Sequence, residues 1–210
     1  MNEILQLSNE NVYRSEQERL EMINNAAKAY GQFLDALKID WKNDTNANNT
    51  PMRVAKAYVN DLVRGCYCES PNITSFDNIG SYYGAVFEGG IPFNSLCAHH
   101  CLGFSGVAHI SYLPGSQIIG LSKLNRILDH YARRFQVQEN LCTQVHDAVN
   151  SMCKDNKGVA VMISAQHTCV SCRGIGHMGC AMKTSKLSGD FMNDAATRAE
   201  FYSFIADMKK

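Results

Sequence analysis

The chain has 210 residues, of which 45% are hydrophobic and 19% charged, a composition typical of a globular protein with room for one substantial domain. Its 20 basic and 20 acidic residues give a formal net charge of zero, which excludes a global field that would steer it to nucleic acid or to an acidic membrane. Any anionic ligand must therefore be held by a local group of basic side chains.

Neither the first thirty residues nor any later window has the apolar run typical of a signal peptide or a membrane span. We therefore expect a cytoplasmic location, with no membrane partner and no nucleic-acid partner. In a reducing compartment the nine cysteines should be mostly free thiols, so those close to histidines indicate a metal site.

The N-terminal part of the chain is predicted to be helical. Apolar residues recur at helical spacing across residues 15–38, which predicts an amphipathic helix. A second helix is predicted with Thr50 as its cap and Pro51 as its first residue, and it should end near Gly65.

From Ser81 onward, short runs of glycine, aromatic and β-branched residues predict strands. After the first strands, which include residues 104–114, the expected elements are helices at 122–134 and 136–153, strands at 159–165 and 178–191, and a helix at 194–207. This order favours an α+β fold, in which an antiparallel four-stranded sheet carries a helix pair on one face. The open edges of such a sheet could be covered by other subunits.

Cysteine and histidine concentrate in two short stretches, S-L-C-A-H-H-C at 95–101 and H-T-C-V-S-C at 167–172. Thiolate and imidazole ligands together suit zinc. A catalytic site would use three protein ligands and leave the fourth position to water. A structural site would be closed by four thiolates, those of Cys97, Cys101, Cys169 and Cys172. Spacing alone does not choose between these two zinc sites, and buried thiols beside core histidines are a third interpretation. The neighbouring imidazoles favour a catalytic site, because they can transfer protons near neutral pH.

Basic residues after each stretch could converge on a phosphate chain. Lys123 and Arg126 lie three apart on one predicted helix face, and Ser122 lies at its N-terminus, where free N–H groups favour anions. Arg173 follows the second stretch, and Arg53 lies on an early helix. Each of these alone would be interpreted as a surface charge.

Glu139 lies near the start of the helix predicted at 136–153, where a carboxylate can simply complement the helix dipole. Its functional alternative is guanine recognition. One carboxylate can accept hydrogen bonds from guanine N1–H and the 2-amino group together, whereas adenine presents an acceptor at N1.

Seven motifs in the right order resemble the GTP cyclohydrolase I family, and together they are highly specific. They are T-P-M-R-V-A-K (50–56), L-C-A-H-H (96–100), Y-L-P (112–114), G-L-S-K-L-N-R-I (120–127), A-R-R-F-Q-V-Q-E-N-L (132–141), H-T-C (167–169) and R-G (173–174). The resemblance covers roughly residues 50–205. It implies an N-terminal helical segment, residues 1–50, and a GTP cyclohydrolase I-like catalytic domain, residues 51–210.

The resemblance also implies roles for most of the candidate residues. The implied zinc ligands are Cys97, His100 and Cys169, and the implied acid/base groups are His99 and His167. The implied substrate-binding residues are Lys123, Arg126 and Arg173 for the triphosphate, Arg53 from across a subunit boundary, and Glu139 for guanine. Ser122 and Gln138 are further candidate substrate-binding residues. Family resemblance further implies the tunnelling fold and a homodecamer with active sites between subunits.

The implied activity is zinc-dependent hydrolysis of GTP at C8, release of formate and rearrangement to 7,8-dihydroneopterin triphosphate, a pterin precursor in tetrahydrofolate biosynthesis and one-carbon metabolism. The chain departs from the family at Ala98, because the usual C-E-H-H motif is C-A-H-H here. Loss of that carboxylate leaves two alternatives open. One is an enzyme of the same fold with another substrate or arrested ring opening, and the other is a zinc- and nucleotide-binding assembly module with little turnover.

Overall fold

The computed structural model describes residues 5–72 and 74–208. Residues 1–4, 73 and 209–210, which belong to the predicted segments 1–50 and 51–210, lie outside this range. Contacts within the chain separate two compact units, one ending at Glu69 and the other beginning at Ser70. The predicted division after residue 50 stays a prediction.

The first unit is helical, as predicted. Helix α1 spans Glu16–Ala36, and Ser15 caps it in a reciprocal capping box with Glu18. Helix α2 spans Thr50–Ala57 and continues into a π-helical turn, Tyr58–Leu62, and a 3₁₀ turn, Arg64–Cys66. A small apolar core joins these helices through Ile23, Ala27, Ala55 and Val59.

The predicted cap of α2 is wrong by one residue. Asn49 is the N-cap, because its carbonyl accepts the first helical hydrogen bond, from the Arg53 amide at 3.0 Å. Thr50 is therefore already helical. Pro51 remains in the first turn, where its missing N–H costs nothing.

The second unit contains seven strands and five helices within the described residues. The strands are β1 Ser75–Asp77, β2 Val86–Cys97, β3 Gly103–Leu113, β4 Gln117–Ile119, β5 Phe135–Gln136, β6 Gly158–His167 and β7 Ala181–Leu187. The helices are α3 Leu121–Ala132, α4 Gln138–Met152, α5 Thr168–Ser171, α6 Asp190–Asn193 and α7 Ala195–Asp207.

The main sheet has the order β5-β2-β3-β6-β7, and its four long strands are all antiparallel. Helices α3 and α4 pack against each other and against this sheet. The predicted α+β class, a tunnelling fold with a four-stranded antiparallel sheet and a helix pair on one face, is confirmed. The short elements were not predicted, namely the two-residue strand β5, parallel to β2, the small β1–β4 sheet and the four-residue helices α5 and α6. Segments this short carry no readable periodicity. The strand predicted at 178–191 is shorter, because its last two residues already belong to α6.

The core lies between the helix pair and one face of the sheet. Its fully buried members include Ile110, Tyr112, Ile127, Leu128, Val145, Val159 and Val161. Because successive strand residues point to opposite faces, Ala160 faces the other way and packs with Phe191 and Phe201 of α6 and α7. The sheet is thus covered by helices on both faces.

A polar network that includes the buried His146 also joins α4 to β7. His146 is 3% exposed, and its Nδ1 lies 2.8 Å from Asp147 Oδ1, while its Nε2 lies 3.0 Å from Ser188 Oγ. Lys186 Nζ donates to the same carboxylate oxygen at 2.6 Å. Partial burial opposes ionisation of Asp147, but the hydrogen bonds from Lys186 and His146 outweigh it and hold the pKa of its carboxyl below the usual range.

The strand pairing brings the two Cys/His stretches to one end of the sheet. Strands β2 and β6 both run antiparallel to β3, so their C-terminal ends meet beside the start of β3. Leu96 pairs with Gly103, and His167 pairs with Phe104, the next residue of the same strand. No helix in the described ranges combines the length and the apolar character that a membrane span requires.

Candidate active site

Three side chains from the two stretches form a cluster that could hold a metal ion. The candidate ligand atoms of Cys97, His100 and Cys169 all lie within 4.8 Å of one another. Cys97 is buried at the end of β2, Cys169 is half-buried in α5, and His100 is exposed. Cys101 and Cys172 are exposed and lie outside this cluster.

The turn after β2 is held by backbone hydrogen bonds. The Cys97 amide donates to Leu102 O at 2.8 Å, and the Cys101 amide donates to Cys97 O at 2.8 Å. Cys101 has a φ of 54°, the left-handed conformation that closes this tight turn. The Ala98 amide donates to Gln136 O at 3.0 Å, which ties the turn to β5. The positions of Cys97 and His100 are thus set by the backbone.

The chemistry of this donor set fits zinc. Tetrahedral zinc holds thiolates and imidazoles at about 2.0–2.3 Å, which places its ligands roughly 3–4 Å apart. The observed cluster is close to that spacing. Burial, followed by the hydrogen bond and the charge of the adjacent Cys97, raises the pKa of the Cys169 thiol. A cation between the two sulfurs would remove this repulsion, and sulfur with imidazole selects zinc over magnesium or calcium.

The two predicted acid/base histidines are close in sequence to the candidate ligands: His99 lies between Cys97 and His100, and His167 lies two residues before Cys169. His99 is exposed, and its Nδ1 lies 3.9 Å from Cys97 Sγ. His167 is half-buried, stacks on Phe104 with ring centroids 4.4 Å apart and planes at 4°, and has its Nε2 2.9 Å from Gln138 Oε1. Burial lowers the pKa of His167, and the charge of Glu139 partly offsets that effect.

Glu139 is exposed in the first turn of α4 and lines a cavity of about 320 Å³. The other lining residues come from α4 and β7, namely Cys142, Thr143, Thr184, Ser185 and Lys186. None of these five was predicted from the sequence. The only signal for this lining in the sequence was the run of polar residues in β7, which is equally typical of a solvent-exposed edge strand.

The predicted cations lie in three places. Arg173 Nη1 donates to His100 Nε2 at 2.8 Å. This residue, which was predicted to bind phosphate, therefore contacts one of the three candidate metal ligands. Ser122, Lys123 and Arg126 lie in the first two turns of α3, whose N-cap is Gly120. Arg53 lies on α2 in the first unit, where Nη1 donates to Asn46 O at 3.5 Å. In the described residues, no hydrogen bond or ion pair joins these three α3 residues to the candidate metal ligands or to Glu139.

A sequence profile described as GTP cyclohydrolase I matches residues 26–206 of the chain. The chain belongs to the GTP cyclohydrolase I family. This assignment confirms the resemblance carried by the seven motifs, and it extends the match into α1, beyond the region that the motifs cover.

Individual relatives agree with the family assignment. A protein named GTP cyclohydrolase 1 2 of Pseudomonas syringae pv. tomato is 42% identical over 75% of this chain and 86% of its own length. GTP cyclohydrolase 1 of Allorhizobium ampelinum is 38% identical over 75% of this chain and 78% of its own. GTP cyclohydrolase 1 of Brucella suis is 40% identical over 74% and 73%.

Among solved structures, the archaeosine synthase QueF-Like in the apo form aligns with 52% of this chain and 97% of its own, at 15% identity and a TM-score of 0.42. That likeness is too distant to bear on function.

Proposed function

We propose that this chain is a zinc-dependent GTP cyclohydrolase I, which hydrolyses the imidazole ring of GTP at C8, releases formate and forms 7,8-dihydroneopterin triphosphate. The observation that carries the proposal is the Cys97–His100–Cys169 cluster, with two imidazoles beside it, in a member of this family. The cluster offers three ligands, the number typical of a catalytic zinc site with an open position.

Glu139 would anchor the substrate by its base. Its carboxylate can accept from guanine N1–H and from the 2-amino group, and the cavity that it lines is within the size range of small-molecule sites. The side chain of Gln138 lies next to it in sequence but is 1% exposed. The guanine contact of Glu139 would fix the purine ring relative to the candidate metal ligands. Correct positioning of the reactants can lower an activation barrier by several kcal/mol.

Basic residues would bind the triphosphate. Lys123, Arg126 and Arg173 supply charge, and Ser122 adds a hydroxyl in the first turn of α3. Charge-assisted hydrogen bonds to phosphate are roughly twice as strong as neutral ones. In the proposed homodecamer, Arg53 of one subunit would complete the site of its neighbour, and subunit contacts would cover the edges of the sheet.

Cys97, His100 and Cys169 would hold the zinc ion, which when bound supplies the Lewis acidity that makes water a nucleophile near neutral pH. His99 and His167 would exchange protons with the opening ring, as imidazoles do efficiently near pH 7. The Nδ1 of His99 faces Cys97 Sγ, which leaves its Nε2 for that exchange. Stacking on Phe104 fixes the plane of His167 against rotation.

Ala98 favours a second candidate, an enzyme of this fold whose chemistry stops at a ring-opened nucleotide or accepts another purine. A carboxylate beside a zinc ligand typically orients a histidine or a water, and its loss can lower activity about 10–100-fold. A zinc- and nucleotide-binding assembly module is the limiting case, in which turnover is negligible. The cytoplasmic location and the place in tetrahydrofolate synthesis stay predictions.

The test is to incubate zinc-loaded protein with GTP, to quantify formate, and to detect pterin by its fluorescence after oxidation. Formate with pterin supports the cyclohydrolase, a ring-opened nucleotide without pterin supports the altered enzyme, and nucleotide binding without formate supports the binding module. Cys169→Ala and Cys172→Ala form a matched pair from one stretch. We expect only Cys169→Ala to lose zinc and turnover, and equal zinc content in both variants would contradict the ligand assignment.

A further inference from the structure

The amide of Gln138, the first residue of α4, is buried between the sheet and a candidate acid/base group. Its Nε2 donates to Ile163 O at 3.3 Å, to Met182 O at 3.1 Å and to Thr184 Oγ1 at 3.2 Å, across the β6–β7 pair. Its Oε1 lies 2.9 Å from His167 Nε2. Gln138 itself is 1% exposed, so its amide is shielded from water.

The orientation of this amide follows from its partners. Backbone carbonyls only accept hydrogen bonds, so the end of Gln138 that faces Ile163 O and Met182 O must be the NH₂ group. The carbonyl end therefore faces His167. Because Oε1 only accepts, the hydrogen between the two groups must belong to His167 Nε2. In the neutral imidazole the other nitrogen, Nδ1, then carries the lone pair.

We propose that Gln138 is a positioning residue that fixes His167 in the tautomer with hydrogen on Nε2 and holds its ring in one orientation, so that the Nδ1 edge is the one left open to the site. This proposal rests on the proposed function.

Two further contacts support this assignment. The stack of His167 on Phe104 holds the ring plane, so the amide and the aromatic ring together fix both tautomer and orientation. Within the described residues, Nδ1 of His167 makes no hydrogen bond, which leaves it available. The role differs from the direct substrate contact that was predicted for Gln138, since its two N–H hydrogens are already shared among three acceptors.

The first test is spectroscopic and needs no turnover. The ¹⁵N shifts of the His167 ring are measured in zinc-loaded protein without GTP. We expect protonated Nε2 and unprotonated Nδ1, and protonated Nδ1 with bare Nε2 in the wild type would overturn the proposal. Gln138→Met should shift the ring towards the other tautomer. Gln138→Glu keeps an oxygen that accepts from Nε2–H and, with its carboxyl protonated, a donor towards the carbonyls of Ile163 and Met182, so hydrogen should stay on Nε2.

Ser188→Ala is the matched control, because it removes a hydrogen bond at the opposite end of β6 and near His146 rather than His167. It should leave the His167 signals unchanged.

The second test separates positioning from binding. If Gln138 acts through His167, Gln138→Met should lower kcat about 10–100-fold, the range for lost supporting partners of active-site histidines, with KM changed less than about threefold. Gln138→Glu should recover part of kcat. A raised KM with unchanged kcat would instead show direct substrate binding and contradict the proposal. If wild-type protein forms no pterin, the proposed function fails, while the ring shifts still decide the tautomer.

Discussion

Replacing Glu139 by glutamine exchanges one carboxylate oxygen for an NH₂ group at the rim of the cavity and keeps the length of the side chain. In the proposed complex, the carboxylate accepts two hydrogen bonds from guanine, each worth about 1.5–3 kcal/mol because the acceptor is charged. Glutamine keeps one neutral acceptor and turns a donor towards a guanine donor. Because Glu139 is exposed in the single chain, we take the lower end of the range, about 3 kcal/mol in all.

A loss of about 3 kcal/mol corresponds to a roughly 100-fold lower kcat/KM for GTP. Inosine triphosphate, which lacks the 2-amino group, separates this effect from general damage. The wild type should prefer GTP over inosine triphosphate by about tenfold, one charged hydrogen bond. In Glu139→Gln this preference should disappear, because the one remaining acceptor can serve guanine N1–H or the 2-amino group but not both.

The assay is pterin formation from each nucleotide by the wild type, by Glu139→Gln and by Glu200→Gln, which alters an exposed carboxylate on α7. Glu200→Gln should match the wild type with both nucleotides. A Glu139→Gln variant that kept the wild-type preference for GTP would refute the guanine-anchor assignment, whatever its absolute rate.

Three further outcomes are expected. Zinc should protect Cys97 and Cys169 from alkylation, as measured by mass spectrometry. Burial raises the pKa of the Cys142 thiol to about 11, so Cys142 should stay unmodified at pH 8 with or without zinc. Equal labelling of Cys97 and Cys169 with and without zinc would count against the site. Ala98→Glu should raise turnover about 10–100-fold if the missing carboxylate limits the rate, and an unchanged rate would end that explanation. The lowered pKa of Asp147 contributes stability that is present above about pH 5 and is lost as the pH falls below about 4, so urea midpoints of wild type and Asp147→Asn should converge in acid. A gap that persisted unchanged at pH 2 would contradict it.

Sequence patterns predicted the long elements because each carries its own signal. The apolar spacing of α1 and the alternation in β3 are local properties, and the structure confirms both. The strand β5 was missed because two residues have no period, and the cap of α2 was displaced because Thr50 and Asn49 are both capable caps.

The candidate site divides in the same way. Residue types at Cys97, His100 and Cys169 indicated metal chemistry, and the structure brings these three together. The orientation of Gln138 and the lining of the cavity by Thr184 depend on the register between β6 and β7, a long-range pairing that no local pattern specifies. The residue types alone indicated the metal chemistry, whereas the contacts that support the site could be identified only from the three-dimensional fold.

The most direct test of the account follows the carbon that the reaction should remove. Zinc-loaded protein is incubated with GTP labelled with ¹³C at C8, and the label is tracked by NMR while pterin is quantified in the same sample. We predict that all converted label appears as formate, in a one-to-one ratio with 7,8-dihydroneopterin triphosphate. Tight GTP binding by fully zinc-loaded protein with the label retained in intact GTP would contradict it.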